Sequence, residues 1–224
     1  MHAAPIALAS WLLPSLAVLI TYLVSAAQGQ VPTCIPFFEG CTSISGAARR
    51  DPSIHIFRAM MLPTATVLAI YWLLVRSWLG QLGETGRSRD WLTGLGLVGA
   101  LFMVLYVVFL GTEGRAYELM RRYGVTVYFS FTALAQLVLA ARLQRLPAAA
   151  KARVAGGVIN AKVTFGALML LLGLANIPAA NFFPALQVDN IIAWNFALLM
   201  HGYFGLTALA WQRTDFRLSA WAGR

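Results

Sequence analysis

The sequence predicts an all-α fold, a single bundle of six transmembrane helices. Hydrophobic residues make up 59% of the 224 positions, and charged residues make up only 11%. A soluble domain carries about a quarter charged residues, which it needs to cover its surface. Six apolar runs are also long enough to cross a hydrocarbon core about 30 Å thick, which takes roughly 20 helical residues. We therefore expect one membrane domain over residues 1–224, without a soluble appendage.

Each apolar run is predicted to be a helix, because a chain in lipid must satisfy its backbone amides and carbonyls internally. The predicted spans are residues 5–27, 54–79, 92–111, 125–143, 161–183 and 191–212. The first run is longer than the core of a signal peptide and follows no Lys or Arg, so we expect it to be retained. Its end, Ser25-Ala26-Ala27, nevertheless resembles a cleavage site. In the third span, Gly94, Gly96 and Gly99 are expected to allow close helix contact.

The positive charges are distributed unequally between the two predicted sides of the membrane. Eleven Lys and Arg lie on the side of loop 80–91, linker 142–162 (Lys162 included) and the tail. The other side has six: Arg49, Arg50, Arg58, Arg115, Arg121 and Arg122. The positive-inside rule then places both termini in the cytoplasm, and we expect a bacterial inner membrane. No basic stripe interleaved with aromatic residues occurs, which disfavours nucleic acid as a partner despite the net charge of +9.

Cys34 and Cys41 both lie in the loop that follows the first span. In the predicted orientation this loop faces an oxidising compartment, where disulfides persist. We expect a disulfide between them. Free thiols and a redox-active pair remain as alternatives, although redox-active cysteines usually lie closer in sequence.

Polar and ionisable residues gather at the predicted outer end of the bundle. Because such groups are costly inside a membrane, each is a candidate for function. The functional hypothesis is a cavity that binds a lipid headgroup, with Arg58 on the phosphate and Glu113 or Asp189 balancing its charge. The alternative is that these residues simply border water at the ends of the spans. The candidate residues for headgroup binding are Asp51, His55, Arg58, Glu113, Arg115, Asn176, Asp189, Asn190 and Trp194.

Two further classes of function stay open at this stage. A membrane acyltransferase or lipid hydrolase would use His55 or His201 as general base, with a nucleophile about 3 Å away. The sequence contains no GxSxG, HExxH or phosphate-cradling loop to support it. The third class is a structural protein that binds a membrane partner or forms a homo-oligomer. We expect no metal and no cofactor, since His55 and His201 are predicted at different depths.

Two segments resemble the Frag/DRAM/Sfk family of polytopic membrane proteins. After the first span the matching residues are Ile44-Ser45-Gly46, Asp51-Pro52, Ile56-Phe57 and Ala59-Met60, and the last helix from Trp194 is similar as well. The family includes the Golgi factor for lipid remodelling of GPI anchors. The resemblance implies six spans and a function in lipid remodelling or distribution. Tyr123 and Ala193 depart from a His and a Glu that some relatives carry, which argues against transferring a hydrolase or acyltransferase mechanism.

Overall fold

The computed structural model describes residues 2–84, 86–182 and 187–217 and confirms the all-helical fold. Six helices in this part of the chain are long and apolar enough to span a membrane. The predicted end of the fifth span, residue 183, lies outside the described residues. In chain order the helices are α1 (Ala4–Ala27), α2 (Pro36–Glu39), α3 (Ile44–Ala48), α4 (Ser53–Gln81), α5 (Ser88–Phe109), α6 (Arg115–Arg145), α7 (Ala148–Val154), α8 (Gly156–Phe182) and α9 (Val188–Arg213).

Helix α6 begins ten residues before the predicted start of the fourth span. Its first turns carry Glu118 within 2.7 Å of Arg122 and 3.9 Å of Arg121, ion pairs at the spacings that stabilise a helix surface. These turns are polar and largely exposed, so hydropathy alone does not detect them. The extension adds about 15 Å of helix beyond the predicted apolar span.

The six long helices form a closed ring in the order α1, α4, α5, α6, α8 and α9, with α9 packing back on α1. One end of the ring carries loop 28–52 and turn 110–114, and we call it the disulfide end. The other end carries residues 2–3, 82–84 and 86–87, α7 and residues 214–217, and we call it the termini end. Successive spans alternate in direction, so polar residues distant in sequence meet at each end.

Aromatic side chains from α4 and α9 fill the core near the termini end. The Tyr71 ring lies edge-on to Trp72 and Phe204, with ring centroids 4.9 Å apart in each pair. Gly96 of α5 lies against Trp72 so closely that a Cβ would overlap the indole. Gly99 likewise lies against α6, whereas Gly94 faces open space, so the predicted close contact is wrong for that glycine.

Candidate functional site

The loop at the disulfide end is a fixed structure rather than a free connection. The predicted disulfide Cys34–Cys41 is present. The Tyr22 hydroxyl donates to the Cys34 carbonyl at 2.7 Å, and the Trp194 indole donates to the Thr42 carbonyl at 2.9 Å. Asn190 Nδ2 donates to the Gly40 carbonyl at 2.8 Å. Two residues predicted to bind a headgroup, Trp194 and Asn190, therefore hold this loop on α9.

Arg58 binds the end of a neighbouring helix. Its Nη2 donates to the carbonyls of Val108, at 3.1 Å, and Leu110, at 2.8 Å. The last carbonyls of a helix have no partner within it, and the helix dipole favours a cation there. The prediction that Glu113 or Asp189 provides the counter-charge is wrong, because among the described residues neither forms an ion pair with Arg58. Arg58 is thus explained by closing the end of α5.

The other charged candidates at the disulfide end are largely separate from one another. Asp51 and His55 form an exposed pair, with His55 Nε2 2.8 Å from Asp51 Oδ1. Arg115 and Asp189 are both exposed. Exposed pairs of this kind contribute little to stability or to a site. A single cavity uniting His55, Arg58, Glu113 and Asp189 therefore stays a prediction, while His55 pairs with Asp51 and Arg58 with the end of α5.

His201 is buried in α9, beside a cavity too small for a substrate. The cavity measures about 30 Å³, which is room for a water molecule. The Ser15 hydroxyl lies 3.4 Å from His201 Nδ1, but the same hydroxyl is 2.7 Å from the Trp11 carbonyl. Since a hydroxyl has one hydrogen, this geometry favours donation to Trp11, with His201 donating to Ser15. That arrangement does not make His201 a base for Ser15.

A basic cleft of about 500 Å³ opens at the disulfide end, between the residues after α3 and the start of α6. Three arginines line it, Arg49, Arg50 and Arg121, together with the acidic Glu113 and Glu118. The Arg121 side chain is only 18% exposed, and its contact with Glu118 is long at 3.9 Å. Glu118 is bound more closely by Arg122. Of the predicted headgroup residues, only Glu113 lines this cleft.

Two features make the basic cleft suited to an anion. Helix α6 starts at its edge, after Gly114, and its first turn has no side-chain cap. The free amides and the positive end of the helix dipole both favour negative charge. Burial is the main cause that lowers the pKa of Arg49, and the positive charge of the nearby Arg121 lowers it further. Arginine nevertheless stays charged at physiological pH, so an anion between them would relieve the repulsion between the two cations.

A second space lies between α6, α8 and α9, at the level of Asn176. It measures about 450 Å³ and is lined by Thr126, Ser130 and Phe196 as well as Asn176. Asn176 Oδ1 is buried and has no hydrogen-bond partner among the described residues. This predicted headgroup residue therefore lies beside a space, but not in the basic cleft.

Lys162 was expected in a cytoplasmic linker, but it is fully buried in α8. Its Nζ lies 2.6 Å from Thr207 Oγ1, 3.3 Å from the Tyr203 carbonyl and 3.6 Å from the centre of the Tyr203 ring. Thr207 is in turn 2.8 Å from the Tyr71 hydroxyl. Hydropathy places Lys162 at the edge of a span, and only the packing of α8 on α9 shows that it is enclosed.

The fold defines the class as a membrane-spanning helical protein. Comparisons of the chain with protein-family models, with curated proteins and with solved structures each find no match. In the described residues, no group of three or more His, Cys, Asp or Glu is placed to hold a metal ion. Function is therefore inferred from the two spaces and the residues that line them.

Proposed function

We propose that this protein binds the phosphate of an anionic lipid headgroup in the basic cleft. The observation that carries the proposal is the convergence of Arg49, Arg50 and Arg121 beside the uncapped start of α6. Guanidinium groups bind phosphate through paired, charge-assisted hydrogen bonds. The phosphate ligands proposed here differ from the expected Arg58, whose Nη2 is bound twice to the end of α5. Arg50 Nη1 and Arg49 Nε also donate to backbone carbonyls, those of Gln30 at 2.6 Å and Ser45 at 3.3 Å, so the other N–H groups of these two arginines would contact the phosphate.

The location of the basic cleft favours a lipid over a soluble anion. The first turns of α6 expose Tyr117, Leu119, Met120 and Tyr123, with 44–64% of each side chain accessible. Tyrosines are enriched where the polar headgroups meet the hydrocarbon core, since their rings are amphipathic. A cleft beside this surface would lie at headgroup level. With both termini in the cytoplasm, it would face the outer leaflet.

Binding of a headgroup would fit a role in lipid remodelling or distribution. That role is the one implied by the resemblance to the Frag/DRAM/Sfk family at Ile44-Ser45-Gly46 and Asp51-Pro52. Both segments adjoin Arg49 and Arg50, so the resembling region and the basic cleft coincide. The proposal assigns no bond-breaking chemistry to the cleft.

The test measures binding of phosphatidylglycerol to the detergent-solubilised protein by native mass spectrometry. Arg121→Gln removes a charge-assisted interaction of about 1.5–3 kcal/mol, so affinity should fall about tenfold or more. Arg145→Gln makes the same change at the opposite end of α6, where the side chain is exposed, and should leave affinity unchanged. Equal retention of phosphatidylglycerol by the native protein and Arg121→Gln would refute the proposal.

A further inference from the structure

A lateral groove runs along the seam between α6 and α8. The space beside Asn176 adjoins a second space of about 260 Å³, and both are lined by Ser130, Gly173 and Phe196. The part nearer the disulfide end has polar groups from Thr126, Ser130 and Asn176. The deeper part is almost entirely apolar, and its lining includes Leu134, Leu137, Met169, Leu170 and Leu174.

The length of the groove matches one leaflet. Its lining on α6 extends from Val125 to Leu137. Twelve residues of helix rise about 18 Å, and half of a bilayer hydrocarbon core is about 15 Å. The groove therefore begins near one surface of the bilayer and ends near its midplane, as an acyl chain of one leaflet does.

The mouth of the groove carries groups that suit the polar part of a phospholipid. Arg122 precedes Thr126 by four residues and Phe129 by seven, which places all three on one stripe of α6. The Arg122 side chain is 68% exposed. Asn176 Oδ1, an acceptor without a hydrogen-bond partner among the described residues, belongs to the same lining as Thr126. The cation would bind a phosphate, the hydrogen-bond acceptor would bind a headgroup hydroxyl, and the apolar part of the groove would hold an acyl chain.

We infer that this groove is a binding site for one acyl chain of an anionic phospholipid whose phosphate contacts Arg122. The site goes beyond the basic cleft, since it involves another face of α6 and other residues. It belongs to the α6–α8 seam, where the ring of helices leaves space for a ligand from the bilayer. A polar headgroup with hydroxyl donors, such as glycerol, satisfies Asn176.

Gly173 provides a way to fill the groove without disturbing the helices. A Cβ at this position would first meet the Phe196 ring, at 4.0 Å, which is ordinary contact. In Gly173→Leu the side chain would occupy the trough, and leucine favours helix more than glycine does. Gly94→Leu is the matched control, because a Cβ at Gly94 meets nothing within 4 Å and α5 does not line the groove.

The experiment uses phosphatidylglycerol with a photoactivatable diazirine in one acyl chain, mixed into phosphatidylcholine nanodiscs that hold the full chain. Cross-links in the native protein should concentrate on peptides containing Leu134, Leu137, Met169 and Leu170. Gly173→Leu should remove most of them, Arg122→Gln should reduce them several-fold, and Gly94→Leu should keep them. Cross-links spread evenly over all lipid-facing helices, or unchanged in Gly173→Leu, would overturn the inference.

The cross-linking result for the groove can be distinguished from the binding result for the basic cleft. Arg121→Gln should leave the groove cross-links in place even where it weakens retention of phosphatidylglycerol. Loss of the groove cross-links in Arg121→Gln would overturn the groove as a separate site. Binding of the acyl chain in the groove would then depend on a headgroup bound in the basic cleft. A melting curve that coincides with that of Gly94→Leu confirms that Gly173→Leu is folded.

Discussion

Arg58→Ala removes the side chain that closes the end of α5, and its effect can be worked out from two hydrogen bonds. Nη2 of Arg58 donates to the Val108 carbonyl at 3.1 Å and to the Leu110 carbonyl at 2.8 Å. A hydrogen bond from a charged group contributes about 1.5–3 kcal/mol to stability. Because Arg58 is partly exposed, the lower value applies, and the two bonds together contribute about 3 kcal/mol.

The expected result is a lower melting temperature with the headgroup site intact. For a chain of this size, a loss of about 3 kcal/mol corresponds to a fall in Tm of roughly 6–12 °C. Arg58→Lys keeps a cation near the helix end and should lose less. Arg76→Ala is the matched control on the same helix, since Arg76 is half exposed and pairs with Asp90. Such a pair contributes at most about 1 kcal/mol.

The assay is thermal unfolding in detergent, followed by tryptophan fluorescence, with phosphatidylglycerol retention measured on the same samples. If Arg58→Ala melted like the native protein but lost its lipid, Arg58 would be a phosphate ligand after all. The assignment of Arg58 to the end of α5 would then be refuted. A shift equal to that of Arg76→Ala would also count against it.

Four further predictions concern the buried lysine and the disulfide end. Thr207→Val should destabilise the protein by about 1–3 kcal/mol in thermal unfolding, because it takes the closest partner from the buried amino group of Lys162. Lys162→Met should destabilise the protein less than Thr207→Val, since it removes the polar group that needs a hydrogen-bond partner. Replacing Cys34 and Cys41 by Ser opens a loop whose ends are seven residues apart, and should lower the free energy of unfolding by about 2.5 kcal/mol. After mild reduction, an impermeant maleimide should label Cys34 and Cys41 in intact cells; labelling only after lysis would reverse the predicted orientation.

The fold could be predicted from the sequence because a bilayer leaves few choices. A long apolar run must form a helix, and all six predicted spans correspond to helices in the structure. The error in the start of α6 has a physical cause. Residues 115–124 form a helix with several charged and mostly exposed side chains, and a hydropathy pattern detects only long apolar runs.

The candidate site could be predicted only in part, because polar residues at span ends have several kinds of partner. The sequence marks Arg58 and Trp194 as candidates because they lie near the ends of apolar spans. Their hydrogen-bond partners are backbone carbonyls, which every residue has, so the sequence does not show which carbonyls they bind. The disulfide could be predicted because it depends on two residues of one loop. The basic cleft joins Arg49 to Arg121 across 72 positions of sequence, and only the packing of loop 28–52 on the α5–α6 turn brings them together.

The structure helps to explain why arginines occur on the predicted outer side of the membrane. The positive-inside rule disfavours Lys and Arg there, yet six arginines occur on that side. Arg58 binds the end of α5. The basic cleft is lined by Arg49, Arg50 and Arg121. Arg122 lies at the mouth of the groove and pairs with Glu118, and Arg115 is exposed. Because Lys162 is buried in the bundle, the excess of positive charge on the opposite side depends on the ten other Lys and Arg residues there. Arg58 has an observed partner in the end of α5, and Arg122 has one in Glu118. For Arg49, Arg50 and Arg121, the proposed anion in the basic cleft would offset the cost of a positive charge on this side.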